Sequence, residues 1–245
     1  MSDPNFDSLE EQDRLRRIAD RYQGPDSSIT EQQANEYMAR EAVRLVEGPK
    51  VLVLGAATGV WAEPLIARFG GFDTVDAVEH LVQDLERQYP GKVRGFVSLF
   101  EEFDPSDTGY DTIVLGHVLE HLHNPVDVLT RCRSWLRPGG RVVILVPNAH
   151  SLHRQVGVSL GYLEKVTDKS AGDLALGHRR VYTWDSLRAD VEAAEFTDLH
   201  LSGLFIKPLS NQQMDEFSDE LRIAFFQMGP VAPELACVIC CVAKA

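Results

Sequence analysis

The sequence has few basic residues for its length. Its 245 residues include 24 lysines and arginines against 37 aspartates and glutamates, and no basic run is present. Proteins that bind the sugar-phosphate backbone of nucleic acids neutralise its phosphates with lysine and arginine. Anionic membranes attract the same side chains. The net charge of -13 therefore argues against a nucleic-acid partner and against a membrane partner.

The sequence also lacks long apolar runs and is poor in cysteine. No stretch reaches the roughly 20 apolar residues that a membrane-spanning helix needs. Residues 1–6 have neither the basic nor the apolar region of a secretory signal. Four cysteines are too few for a disulfide framework. We therefore expect a cytoplasmic protein whose core needs no covalent crosslinks.

Three of the four cysteines lie close together near the end of the sequence. Cys237 and Cys240 have the C-x-x-C spacing of a redox motif or of half a zinc site, and Cys241 follows directly. They belong to residues 235–242, an apolar run that is typical of a buried strand, and no second pair stands elsewhere. We interpret these cysteines as structural.

Two helices are predicted before residue 50. Residues 8–22 read as a charged helix, and the segment 24–28 breaks it. Thr30, followed three residues later by Gln33, fits a capping box and predicts a second helix to about Val46. We treat residues 1–48 as a helical cap on a main domain of residues 49–245.

From residue 50 onward, short apolar strands alternate with helices. The expected strands are 51–54, 74–79, 93–97, 112–115 and 141–146, and the expected helices are 60–69, 81–88 and 125–136. This alternation is typical of a parallel sheet that is covered on both faces.

The alternation stops after residue 148. Residues 149–180 are rich in glycine, serine and charge, and a connection this long usually forms a functional lid or binding loop. We place the lid at residues 149–182. A helix at 183–194 and strands near 198–205 and 235–242 follow. Together these elements predict an α/β fold with a mostly parallel, seven-stranded sheet.

Ligands of open α/β sheets bind at the carboxyl ends of the strands, near the point where the strand order reverses. Strand one is followed by residues 55–59, Gly-Ala-Ala-Thr-Gly, a loop small enough for its amides to approach a ligand. Glu79 ends the second expected strand, 20 residues beyond Gly59, where a carboxylate can accept both hydroxyls of a ribose. Many nucleotide sites share both features, so they predict a nucleotide-type cofactor without specifying which one.

Further segments resemble the class I methyltransferases that depend on S-adenosylmethionine (SAM). Besides residues 51–59, the resemblance is carried by 110–115, by 120–125 and by 136–148, where Leu-Arg-Pro-Gly-Gly-Arg leads into the fifth strand. His178 with Tyr182, ahead of a helix, is similar to the small-molecule branch related to ubiquinone-type O-methyltransferases. The resemblance implies a Rossmann-like class I methyltransferase fold, SAM as cofactor, and transfer of a methyl group to an O or N atom of a small acceptor, with secondary metabolism as one setting.

The resemblance also implies which residues hold SAM. The loop after strand one would line the methionine part, Glu79 the ribose and residues 98–100 the adenine. Residues just past strand four would border the methyl group, and two residues of the second helix could reach the SAM carboxylate. The expected cofactor residues are Gly55, Ala56, Ala57, Gly59, Glu79, His80, Ser98, Leu99, Phe100, Gly116, His117, Tyr37 and Arg40.

A general base assists transfer to a hydroxyl, and imidazole is suited to this role near neutral pH. His117 is the first candidate because its expected place borders the methyl group. The further candidates are His121, His178 and Tyr182, followed by His150 and His153 in the lid. Polar lid residues expected to recognise the acceptor are Tyr162, Lys165, Asp168 and Lys169.

Residues 117–121, His-Val-Leu-Glu-His, match the H-x-x-E-H pattern of one zinc-protease group. That role needs a long helix through the motif and a third ligand further along the chain. Here the segment directly follows an expected buried strand, and a new helix is expected from Pro125. We therefore expect no metal at this motif.

Three functional hypotheses follow. The first is a small-molecule methyltransferase, for which we also consider a homodimer. The second is a SAM-binding module without catalysis, which is allowed because Val53, Ala57 and Ser98 depart from the acid, glycine and acid usual in the family. The third is an NAD-dependent oxidoreductase. It is disfavoured because residues 55–59 lack the three-glycine spacing of that class.

Overall fold

The alternation of strands and helices is present in a computed structural model, which describes residues 8–22, 28–56, 59–105 and 107–245. In chain order the elements are α1 (Ser8–Tyr22), α2 (Ile29–Val43), β1 (Val51–Leu54), α3 (Ala62–Phe69), β2 (Phe72–Asp76), α4 (Glu79–Gln88), β3 (Val93–Val97), β4 (Tyr110–Gly116), α5 (Pro125–Trp135), β5 (Leu136–Pro147), α6 (Leu152–Ser159), α7 (Ala171–Ala175), α8 (Trp184–Ala193), β6 (Thr197–Leu204), α9 (Asn211–Met214), α10 (Asp219–Gln227) and β7 (Val238–Lys244). A short 3-10 helix, Pro233–Leu235, precedes β7.

The seven strands form one sheet in the order β3-β2-β1-β4-β5-β7-β6. Strands β1 to β5 pair in parallel, whereas β7 runs antiparallel to both of its neighbours. The chain order reverses between β1 and β4, where Leu54 pairs with Leu115. Their carboxyl ends therefore lie side by side, at the place where open α/β sheets bind ligands. The expected mostly parallel, seven-stranded fold is confirmed.

Each face of the sheet packs against its own set of helices. Val51 and Val53 of β1 join the cluster under α2, α3, α4 and α10. Leu52 and Leu54, which alternate with them, join the cluster under α5 and α8. This alternation explains why β1 is apolar throughout, since a strand buried on both faces has no solvent side.

Two element boundaries differ from the sequence-based prediction because side chains bond the backbone. Helix α2 starts after Ser28, whose hydroxyl accepts a hydrogen bond from Glu31 N at 3.4 Å, so Thr30 is a helical residue and not the cap. Strand β2 ends at Asp76 because its carboxylate accepts a bond from Val78 N at 2.9 Å and turns the chain. Glu79 is consequently the first residue of α4 and not the last of a strand.

Strand β5 begins five residues before its expected start. Leu136 already pairs with Tyr110, whereas Arg141 pairs with Thr112, so residues 137–140 form a bulge within the strand. Gly139 has φ +76°, a backbone conformation that glycine adopts without strain. The Pro-Gly-Gly sequence therefore makes a bulge here.

The N-terminal cap has the expected first helix, whereas the lid and the segment between β6 and β7 contain helices that were not predicted. The expected helix at residues 8–22 is confirmed as α1. The lid contains α6 and α7, and the segment between β6 and β7 contains α9 and α10, none of which was predicted. Each of α7, α9 and α10 begins after a serine whose side chain accepts a backbone hydrogen bond.

The cysteine cluster forms part of the sheet. Cys240 and Cys241 are buried in β7, and Cys237 lies just before it. All four cysteines are free thiols. The burial of Cys240 and Cys241 in β7 agrees with the structural interpretation, whereas Cys237 is partly exposed and lines the cavity described below. Within the described ranges, no helix is long and apolar enough to cross a membrane.

Candidate active site

A cavity of ≈ 560 Å³ lies at the carboxyl ends of the parallel strands. Its floor includes Gly55 after β1, Asp76 at the end of β2, Leu99 after β3 and Gly116 at the end of β4. The remaining walls come from α1, α2, the lid and the segments that flank β6 and β7. A volume of this size falls in the range of small-molecule sites.

The loop after β1 is held by the neighbouring strand. Gly55, with φ +90°, donates from its amide to Val75 O at 2.8 Å and lines the cavity. Ala56 N donates to the Asp76 carboxylate at 2.9 Å. Ala56 and Gly59 belong to the same turn without lining the cavity, and Ala57 lies outside the described residues.

Asp76 occupies the place that the sequence analysis gave to Glu79. It ends β2, lines the cavity and is partly exposed there. Glu79 and His80 are exposed on α4, and the Glu79 carboxylate accepts a bond from Gln83. The assignment of Glu79 as a strand-end carboxylate is therefore wrong, and His80 likewise lies outside the cavity lining. The missed signal was Asp76 itself, an acid at the end of an apolar run.

Residues after β3 form a mostly apolar wall. Leu99 is buried and lines the cavity together with Phe100, as expected. Ser98 does not line it: its hydroxyl donates to Leu99 O at 2.9 Å and its amide donates to Asp76 O at 3.0 Å. Glu101 also faces the cavity, and burial raises the pKa of its carboxyl.

Gly116 ends β4 against the indole of Trp61. A Cβ atom added at Gly116 would lie 2.3 Å from Trp61 Cζ2, so no side chain fits. Both residues line the cavity. Glycine is therefore required at this strand end by close packing.

Helix α2 faces the cavity with a different side from the one expected. Glu31, Asn35 and Met38, at helical spacing, line the cavity. Tyr37 instead packs on Phe226, with ring centroids 5.6 Å apart, and Arg40 is exposed beside Glu36. The expectation that the N-terminal helices cover the site holds, but the choice of Tyr37 and Arg40 is wrong.

His117 has an unusual backbone conformation at the rim of β4. Its φ is 58°, a conformation that costs energy for a residue other than glycine and that often marks functional sites. The ring Nδ1 lies 3.1 Å from Glu120 Oε1, and Nε2 has no hydrogen-bond partner. A neutral ring that donates from Nδ1 to Glu120 presents the Nε2 lone pair as a proton acceptor. His117 lines the cavity.

His121 and His178 meet in the same wall. Their rings pack edge to face with centroids 4.8 Å apart. Burial lowers the pKa of His121 to about 4, so its imidazole is neutral near pH 7. His178 Nδ1 lies 3.0 Å from Asp173 Oδ1. Burial opposes ionisation of Asp173, but hydrogen bonds from His178, Arg154 and Ser170 outweigh this effect and lower the pKa of its carboxyl.

The structure brings His178 beside two residues of the H-x-x-E-H segment, Glu120 and His121, without including His117 in the group. Glu120, His121 and His178 each place one potential ligand atom within 4.8 Å of the others. The segment that carries the motif is a turn and not a long helix. One carboxylate and two imidazoles form a donor set that divalent transition metals accept.

Tyr182 lies apart from this group. It is buried among the residues under α8, and its hydroxyl donates to Asp190 at 2.8 Å. It does not line the cavity. Its selection as a candidate base is therefore wrong. Tyr182 follows His178 closely in the sequence, but its side chain packs under α8 and does not reach the cavity.

The far end of the cavity carries polar groups from distant segments. His153, Lys207 and Asn211 line it, and Lys207 Nζ donates to Asn211 Oδ1 at 3.0 Å. Burial, reinforced by the charges of Lys207 and Arg154, lowers the pKa of His153 to about 2. The side chains expected to recognise the acceptor, together with His150, are absent from the lining: Tyr162, Lys165, Asp168 and Lys169.

The chain is similar in sequence to known methyltransferases. A family model described as a methyltransferase domain matches residues 29–201. The ubiquinone biosynthesis O-methyltransferase of Aeromonas salmonicida is 27% identical over 175 residues, which cover 67% of this chain and 70% of the relative.

Solved structures show the same fold at lower identity. A methyltransferase from Haloferax volcanii, in complex with the Trm112 methyltransferase activator, has a TM-score of 0.65 at 15% identity over 96% of each chain. The 1,6-didemethyltoxoflavin-N1-methyltransferase of Burkholderia thailandensis has a TM-score of 0.61 at 17% identity, over 100% of this chain and 92% of that one.

The fold and the strand-end cavity define a SAM-dependent methyltransferase. Because the family model spans more than half of its residues, the chain belongs to this methyltransferase domain family. SAM is accordingly its cofactor, and the oxidoreductase hypothesis is set aside.

Proposed function

We propose that the chain transfers the methyl group of SAM to an O or N atom of a small molecule held in the described cavity. The observation that carries this proposal is the continuity of that cavity from the strand ends to the lid. Gly55, Asp76 and Gly116 border one end, and His153 and Lys207 border the other. One cavity thus has walls for both a donor and an acceptor.

The strand-end part suits the cofactor. Asp76, Leu99, Phe100 and Gly55 line this part. We assign the ribose hydroxyls to Asp76, the adenine to Leu99 and Phe100, and the methionine part to Gly55. Gly116 and His117 then border the sulfonium. The Burkholderia thailandensis structure contains bound S-adenosylhomocysteine (SAH), which supports an adenosyl ligand in this fold.

The remaining part suits a small acceptor. It lies beneath Glu11 and Leu15 of α1, beneath α2, and against Asp173 and Leu176 of the lid. Two similar methyltransferases are named for small molecules, ubiquinone in one case and 1,6-didemethyltoxoflavin in the other. A covered site of this kind excludes water and holds donor and acceptor in line, which supplies much of the acceleration of a direct displacement.

His117 is the proposed general base for a hydroxyl acceptor. His117 lines the cavity, its Nε2 is buried without a hydrogen-bond partner, and its Nδ1 lies 3.1 Å from Glu120 Oε1. In the reaction the acceptor oxygen bonds the methyl carbon as the carbon–sulfur bond breaks. The hydroxyl proton passes to Nε2, and SAH leaves as a neutral thioether.

Two of the three departures from the family pattern, Val53 and Ser98, weigh little against catalysis. Val53 is buried in the sheet core and does not line the cavity. Ser98 turns its hydroxyl to the backbone of Leu99, and Glu101 provides a carboxyl nearby. These positions therefore support packing of the strand ends and leave the cavity surface intact.

Calorimetric titration with SAM, SAH and NAD+ in parallel tests the cofactor part of the proposal. We expect micromolar binding of SAM and SAH and no binding of NAD+. A screen of small hydroxyl and amine compounds, read by SAH formation, then tests turnover. Binding of NAD+ alone, or of none of the three ligands, contradicts the proposed function.

A further inference from the structure

We propose that Glu120, His121 and His178 bind a divalent transition-metal ion in the wall of the cavity. The ligand atoms come from a turn after β4 and from the end of the lid, which the fold brings together across 57 residues of sequence. The site itself does not depend on methyl transfer. Its role in orienting an acceptor rests on the proposed function.

The distances suit a site that closes around an ion. One ligand atom from each of the three residues lies within 4.8 Å of the other two. Bonds of about 2.1 Å in tetrahedral geometry need donors roughly 3.4 Å apart. Binding an ion therefore requires the donors to move closer together, and both imidazole rings border the cavity.

The burial of Glu120 favours a cation ligand. Its side chain is fully buried, and only Oε1 has a partner, His117 Nδ1 at 3.1 Å. Oε2 is buried with no hydrogen bond to any described residue. Proteins rarely bury a carboxylate oxygen without a donor, because the charge then loses its hydration uncompensated. A metal ion at Oε2 provides the compensating charge.

Two of the three proposed ligands also have a hydrogen-bond partner at a second polar atom, as metal ligands usually do. Asp173 Oδ1 lies 3.0 Å from His178 Nδ1, which leaves Nε2 of that ring as the donor to a metal. His117 Nδ1 supports the Glu120 carboxylate in the same way. A carboxylate behind a histidine ligand fixes its tautomer and raises its basicity. A packing cluster of neutral side chains does not require this arrangement.

The donor set also indicates which ions bind and what they do. Two imidazoles and one carboxylate favour Mn²⁺, Fe²⁺, Co²⁺ or Zn²⁺ over Mg²⁺, which prefers oxygen ligands. Three protein ligands leave coordination positions open toward the cavity. An acceptor hydroxyl bound at an open position loses its proton more readily and is held in one orientation.

Direct metal binding tests the proposal without any acceptor. We suggest titrating the whole chain with Mn²⁺ and following free Mn²⁺ by electron paramagnetic resonance, for the wild type, E120Q, H178N and H200N. His200 is exposed on β6, so H200N is the matched control. We expect one Mn²⁺ per wild-type chain, the same affinity in H200N, and a loss of about tenfold or more in E120Q and H178N. Retained affinity in both of these variants overturns the proposal.

Two further measurements keep the test decisive. X-ray absorption of the Zn²⁺-loaded wild type should show two imidazole ligands. A shell of water oxygens alone contradicts the site, even if a variant fails to fold.

SAH titration of the same proteins separates the metal-site proposal from the proposed methyltransferase function. A chain that binds SAH but neither Mn²⁺ nor Zn²⁺ loses the metal site and keeps the methyltransferase assignment. Metal binding without SAH binding supports the site and contradicts the proposed function.

Discussion

Asp76 connects the sheet, the first loop and the cavity through one carboxylate. Its two oxygens accept bonds from Ala56 N and Val78 N, both at 2.9 Å, and the side chain still borders the cavity. These bonds fix the carboxylate before a ligand arrives, and preorganised charged acceptors make stronger hydrogen bonds than neutral ones. We therefore predict that D76N weakens SAM binding about tenfold or more, a change of about 1.4 kcal/mol.

E79Q is the matched control for this prediction. Glu79 lies three residues further along the chain, carries the same charge and is exposed on α4. Its substitution should change the dissociation constant of SAM by less than about twofold. Calorimetry on both variants checks the pair. A larger loss in E79Q than in D76N returns the ribose role to Glu79.

His117 has a positive φ, so the role of its imidazole is best tested with a residue that tolerates this backbone conformation. Asparagine tolerates positive φ better than most residues, so H117N removes the imidazole at little conformational cost. We predict a decrease in kcat of about 100-fold for a hydroxyl acceptor, the usual contribution of a general base, with SAH affinity nearly unchanged. The measurement is SAH formation with an acceptor found by screening. Wild-type kcat in H117N discards His117 as the base.

Helix α1 is fastened to the end of the lid by a small ionic network. Glu11 pairs with Arg179 at 2.8 Å and with Arg14 at 2.6 Å, and Arg14 also donates to Gly177 O at 3.1 Å. Burial opposes ionisation of Glu11, but both arginines outweigh it and lower the pKa of its carboxyl. Since the pKa is lowered in the folded protein, this stabilisation is present at neutral pH. It disappears as the pH falls below the ordinary carboxyl range.

We accordingly predict that E11Q loosens α1 at pH 7. The local free energy of opening should fall by about 1 kcal/mol, because the arginines are partly exposed. Amide hydrogen exchange in α1 should then be about fivefold faster, while the central strands stay protected. Acidification should loosen α1 in the wild type and have less effect in E11Q. Equal amide exchange of α1 in both proteins at pH 7 contradicts a stabilising role for this ionic network.

Local pattern was enough to predict the elements whose residues face one environment along their length. β1 and β4 were predicted because apolar runs between helices indicate buried parallel strands. The end of β2 was not, because Ala77 and Val78 continue the apolar run beyond the point where Asp76 turns the chain. Helices α9 and α10 were missed because they lie in a segment with mixed polar and apolar residues.

The candidate site was most predictable where it lies at strand ends, although the predicted His121, His153 and His178 also line the cavity. Gly55, Leu99, Phe100, Gly116 and His117 lie at strand ends or within three residues of them, and the sheet topology brings them together. The acceptor end is built from α2, the lid and the segments beside β6 and β7, whose approach depends on packing over long sequence distances. Lys207 and Asn211 carry no motif that marks them in advance. The partnership of His178 with Glu120 and His121 likewise required the folded chain.

At the scale of the whole molecule, the cavity is bordered by elements that lie far apart in the sequence. Residues from α1, α2, the strand ends and the lid all border it, so a bound adenosyl compound contacts several elements at once. A ligand that binds only the folded state stabilises it by about 2.7 kcal/mol at 100 times its dissociation constant. For a chain of this size we predict that SAH at that concentration raises Tm by roughly 5–10 °C.

NAD+ at the same concentration is the control, and we expect it to leave Tm unchanged. The stabilisation should spread beyond the strand ends, because the ligand is enclosed by the cap as well as by the sheet. Hydrogen exchange with SAH should therefore slow in α1 and α2 as well as in the loop after β1. If SAH raises Tm but protects only the strand ends, the helical cap does not close over the cofactor. The enclosed acceptor space would then have to be formed by the lid alone.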